Sequence, residues 1–142
     1  MSCILRVYGT DLDVEHLLLE SGLRPYKVYR RGEQTYLHTT GHHNAGSGFN
    51  LAVSEAEFHN PEQQVADALA FLEGHEPALT LLASFPGVEN AVLDFGIEDR
   101  DVAAQVDSFP PRLLLLMGQF NLGLDISRYP RSPQDEEAVG QG

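Results

Sequence analysis

The stretch Phe85-Pro-Gly-Val-Glu-Asn-Ala-Val-Leu-Asp-Phe-Gly-Ile97 decides the fold. A Pro-Gly turn leads into an apolar run with one internal Asp, closed by Gly96. A short apolar run bounded by turn residues, with helical periodicity on both sides, predicts an inner strand of a sheet over Glu89 to Ile97. Asp94-Phe95-Gly96 spells the metal-binding tripeptide of kinases. The chain has 142 residues and no glycine-rich or catalytic loop, so the tripeptide carries no catalytic meaning here.

Working outward, Asn60-Pro61-Glu62-Gln63 marks a helix start. Asn is the cap, Pro suits the first helical position, and Gln63 is placed to reach back to the cap amide. Val65, Ala68, Leu69 and Leu72 form its buried face. Gly74 and Pro77 interrupt the pattern, which predicts a kink or two consecutive helices, the second running to about Ser84. On the other side, Glu98-Asp-Arg-Asp101 is a charged turn, and Val102 to Val106 reads as a short strand or a helical turn. Ser108-Phe-Pro-Pro-Arg112 caps a further helix with Leu113, Leu116, Met117 and Phe120 on one face. Leu122 to Ser127 reads as a last strand.

The N-terminal half supplies the remaining elements. Cys3 to Tyr8 reads as a strand, with Arg6 marking a side that reaches solvent. Asp11 and Asp13 open a helix whose face is Val14, Leu17 and Leu18 and whose stop is Gly22. Pro25 to Arg31 reads as an edge strand or a strand end that emerges from the sheet, since Pro begins it and charge lies on both faces. Gly32 to Ser47 is a long irregular loop with a short strand around Thr35 to His38, and Phe49 to Ser54 alternates as a half-buried strand. The order β-α-β-β-α-β-α-β predicts an α+β fold. Its first six elements match a ferredoxin-like core, a mainly antiparallel sheet with helices packed on one face. The pattern does not place the added C-terminal helix and strand. Residues 1–129 form one domain, and 130–142, with Pro133 and Asp135-Glu136-Glu137, read as a disordered acidic tail.

Nine Lys and Arg stand against 21 Asp and Glu, a net charge of −12. Such a chain repels nucleic acid and anionic membranes, and it attracts a basic protein partner. No segment reads as a membrane span or a secretory signal. The single cysteine, Cys3, argues for a reducing, cytoplasmic compartment and reads as a buried, inert thiol. The charge is unevenly spread. No Lys or Arg lies between Gly32 and Asp99, and four of the nine basic residues lie from Arg24 to Arg31. Either the basic strand neutralises neighbouring acids, or the molecule has two surfaces of opposite sign.

The candidate ligand residues follow from this. Arg30 and Arg31, beside the loop histidines His38, His42 and His43, form a cluster suited to an anionic ligand. The histidines lack the spacing of a metal site, since His42 and His43 are adjacent and no Cys lies near. No cofactor motif and no catalytic constellation is present.

Gly9-Thr-Asp11-Leu-Asp13-Val, Gly22-Leu23-Arg-Pro25 and Val28-Tyr29-Arg-Arg31-Gly32-Glu33 together resemble the bacterial family catalogued as domain of unknown function 4279. Leu93-Asp-Phe-Gly-Ile97 and Phe109-Pro-Pro-Arg-Leu113 resemble a subgroup of it. The resemblance covers about residues 3–129, with Phe49 standing where many members carry Trp. It implies a domain type and a bacterial origin, and no activity. The expected function is a non-catalytic interaction domain, immunity- or adaptor-like, that masks a basic partner. The alternative is a small enzyme or an anionic-ligand binder at the strand-two cluster. A homodimer through an exposed sheet edge or helix face is also expected, because a short sheet leaves edges to cover.

Overall fold

Alternation along the first strand, Cys3–Gly9 (β1), sets the layers. Cys3, Leu5 and Val7 are fully buried, while Ile4, Arg6 and Tyr8 are half-buried on the opposite face. The computed structural model, which describes residues 1–34 and 42–131, continues with α1 (Val14–Ser21), β2 (Lys27–Tyr29) and β3 (Ser47–Ser54). Then come α2 (Pro61–Gly74), α3 (Glu76–Ser84), β4 (Asn90–Glu98), α4 (Pro111–Gln119) and β5 (Gly123–Tyr129). The five strands form one open sheet in the order β2-β3-β1-β4-β5. All neighbours are antiparallel except β4 and β5, which run parallel. The fold is therefore α+β, with four helices and a mostly antiparallel sheet.

One core lies between the helices and one sheet face. Leu5 and Val7 of β1, Phe49 and Leu51 of β3, and Leu93, Phe95 and Ile97 of β4 meet Leu17, Ala68, Leu72, Leu79, Leu113 and Phe120 from the helices. The deciding stretch is an inner strand, flanked by β1 and β5 and buried from Val92 through Glu98. Its neighbour on one side is β5, whose position the apolar pattern had left open.

Local signals explain most boundaries. The Asp13 carboxylate accepts from His16 N at 3.1 Å and starts α1, and Gly22, at φ 73°, ends it. The Asn60 side chain accepts from Gln63 N at 3.2 Å at the start of α2. Gln63 itself does not reach back to the cap. Its amide donates to Asp67 at 2.8 Å. The break at Gly74 and Pro77 gives two helices joined at His75.

Several elements differ from expectation. The second strand has three ladder pairs rather than seven residues. Arg30 and Arg31 turn out of it because the Arg30 amide donates to the Glu33 carboxylate and the Arg31 amide to Ser47 Oγ. Val102 to Val106 is neither strand nor helix. Gln105 holds that loop, accepting from Arg100 N and donating to Glu98 O, so Val102 and Val106 stay exposed. Ser108 does not cap α4, which begins after Pro110 with no side-chain cap. Gln64 joins Ala68 and Leu72 on the buried face of α2, donating to Gly96 O at 2.8 Å, while Val65 and Leu69 are half-buried. The expected strand around Thr35 to His38 lies outside the described residues, as does nearly all of the tail expected at 130–142.

Candidate functional site

The basic turn after β2 is tied to α1. Arg30 Nε pairs with Glu15, and its Nη1 lies 3.7 Å from Glu33. Arg31 Nη1 meets Asp11 Oδ1 at 2.8 Å. Those carboxylates, Glu15 foremost, raise the Arg30 pKa further, so the cation is fixed at every working pH. Asp11 thus serves as an ion-pair partner and Asp13 alone caps the helix. His42 and His43 are exposed nearby, and His43 bridges Gln34 across the loop neck. Asn44 donates to Arg30 O at 3.1 Å and joins the neck to the turn. His38 lies outside the described residues. Arg30 and Arg31 reach towards carboxylates of the same chain rather than towards one another.

The helix-free face of the sheet carries a second constellation, absent from the sequence reading. Arg6 Nε donates to Asp94 Oδ2 at 3.1 Å, and Ser127 Oγ donates to Asp94 Oδ1 at 2.7 Å. Asp94 is 8% exposed, so the two contacts replace the water it gives up. Aromatic side chains approach the backbone closely around this network because glycines leave room. A Cβ at Gly48 would collide with the Tyr29 hydroxyl and the Val7 carbonyl. One at Gly96 would stand 2.7 Å from Phe58, and one at Gly46 2.7 Å from the Tyr8 hydroxyl. Phe58 packs on Tyr129 with centroids 5.0 Å apart. Burial and then the neighbouring Tyr8 push the Tyr29 pKa up, with the Arg6 guanidinium opposing them. These residues are far apart in sequence, and neither motif nor periodicity links them.

A cleft of about 220 Å³ opens between the end of α3, the start of β4 and the α4–β5 turn. Glu89 is the only ionisable residue among those lining it, and Thr10 donates to that carboxylate at 3.1 Å. Cys3 is fully buried, and burial first, then Asp94 and Asp67, pushes its thiol up to about 12. Such a thiol is protonated and no nucleophile, as the sequence suggested. Among the described residues, no group of three or more His, Cys, Asp or Glu is placed to hold a metal ion, and no helix is long and apolar enough to cross a membrane.

The charges distribute in one direction. Arg6, Arg30, Arg31, Arg100, Arg112, Arg128 and Arg131 all pair with carboxylates of this chain. Glu57, Glu62 and Glu76 have no such partner among the described residues and are exposed on the α2–α3 side. No curated protein and no solved structure matches the chain. The family described as Domain of unknown function (DUF4279) matches across residues 1–131, nearly the whole chain and every motif quoted above. The chain belongs to the domain of unknown function 4279 family.

Proposed function

We propose that this protein is a non-catalytic interaction domain of the bacterial cytoplasm, immunity- or adaptor-like, whose acidic exterior masks a basic protein partner. One observation carries the reading: seven of the nine cations are spent on the chain's own carboxylates. Arg30 and Arg31 neutralise their acidic neighbours, and the net field that reaches a partner is negative. The same pairing weakens the alternative, an anionic-ligand binder or small enzyme built on Arg30, Arg31, His38, His42 and His43. Its two arginines are already held by Glu15, Glu33 and Asp11. The test is capture by the tagged full chain from its native cells at about 50 mM and about 500 mM salt. The reading predicts a specific basic protein bound at low salt, released at high salt, and lost when Glu57, Glu62 and Glu76 are all changed to Lys. Recovery of no protein, or of one indifferent to these changes, would overturn it.

Self-association is a second reading with its own support. Leu93 and Phe95 of β4 are fully buried, yet Leu124 and Ile126, their register partners on β5, are 39% and 46% exposed. The helical layer stops short of β5, which is also an edge strand. We infer a homodimer through this edge, and Ile126→Lys returns it to a monomer. A monomeric mass by light scattering at high concentration would exclude it. For the fold, the finer assignment to a ferredoxin-like core is supported by the β2-β3-β1-β4 order of the first four strands.

A further inference from the structure

We propose that the helix-free face of the sheet binds a phosphate group between Lys27 of β2 and Arg6 of β1, with Asn50 of β3 between them. The ladder puts the three in one row: Lys27 opposes Asn50, and Asn50 opposes Arg6. Directly opposed residues share a face, with Cα atoms about 5 Å apart, so the two cations stand about 10 Å apart at the backbone. Both side chains are long enough to close that gap over Asn50.

Each donor in the row is available. Asp94 engages Arg6 through Nε, which fixes the guanidinium and leaves its two terminal nitrogens without a hydrogen bond among the described residues. Lys27 is exposed and has no carboxylate partner among them. The Asn50 side-chain amide and the Tyr8 hydroxyl are likewise unbonded there. Tyr8 and Tyr29 occupy the adjacent row and wall the site, with the Tyr29 ring lying over Gly48 towards Val7 O.

The chemistry favours a tetrahedral dianion. Lys27 and Arg6 bring two positive charges, one of them offset by Asp94, and donors from three strands exceed what the two oxygens of a carboxylate use. Arg6 is paired as well, with Asp94, but Lys27 in its row has no carboxylate partner among the described residues, whereas Arg30 and Arg31 both hold acids. This site shares no residue with Glu57, Glu62 and Glu76, so its failure and the failure of the basic-partner reading are distinguishable.

The test titrates inorganic phosphate into the ¹⁵N-labelled full chain at constant ionic strength, followed by NMR. Saturable shifts are expected at the amides of Lys27, Asn50 and Arg6 and at Arg6 Nε. Lys27→Met, at an exposed edge position, weakens binding about tenfold or more. Arg6→Lys, which keeps the charge and loses the planar fork, weakens it as well. Arg30→Met and Arg31→Met leave it unchanged. Shifts centred on Arg30, Arg31 and His42 would overturn the proposal. So would an affinity unmoved by Lys27→Met, or acetate saturating the same row as tightly as phosphate.

Discussion

At Gly48 a methyl group would meet the Val7 carbonyl and the Tyr29 ring, whereas at Gly118, on the exposed side of α4, it would meet nothing within 4 Å. The two glycines therefore respond oppositely to one substitution. Gly48→Ala forces a neighbouring strand to move and costs about 1–3 kcal/mol in urea denaturation. Gly118→Ala gains about 0.5–1 kcal/mol through helix propensity. Cys3 gives a pH signature. Its thiol is pushed from 9.0 to about 12 in the fold, so the native state binds the proton more tightly than the unfolded chain. Stability from this group is complete below pH 9 and falls as pH rises from about 9 towards 12. Cys3→Ala should flatten that part of the profile, and the native thiol should resist alkylation at pH 8 until urea unfolds the chain.

Among the elements, those announced by a local signal were legible. Asn60-Pro61 announced α2, Gly22 ended α1, and Gly74 with Pro77 divided α2 from α3. Asn60→Ala should cost about 0.5–2 kcal/mol, because one first-turn amide loses its acceptor. Elements held by distant contacts were not legible. Only part of what stops β2 at Tyr29 is local: the Arg30 amide turns to Glu33, but the Arg31 amide goes to Ser47, on the far side of the loop. The place of β5 was equally hidden. Leu124 and Ile126 alternate in the same way beside any neighbour, and only the parallel register with β4 fixes them. The site divides similarly. Arg30 and Arg31 were visible as a charge cluster, but the acids that occupy them lie in α1 and the preceding turn. Arg6, Asp94 and Ser127 were invisible as a group because their contacts span 88 and 33 residues. The edge position of β5 makes a prediction at this scale: Ile126→Lys abolishes self-association while leaving the denaturation midpoint nearly unchanged, because the side chain is already 46% exposed.

Taken whole, the molecule carries a large excess of negative charge. The sequence offered a bipolar alternative, a basic strand against acidic helices. The fold pairs Arg30 and Arg31 with Asp11, Glu15 and Glu33, leaves Arg24 and Lys27 exposed without a carboxylate partner among the described residues, and keeps the net charge strongly negative. A charge of −12 on this scale speeds encounter with a cationic surface and makes the encounter salt-sensitive. The capture experiment reads this most directly. The account predicts a basic partner bound to the wild-type chain at about 50 mM salt, released by about 500 mM, and absent when Glu57, Glu62 and Glu76 become Lys. Equal recovery of that partner by wild-type and variant, or at both salt concentrations, would contradict it.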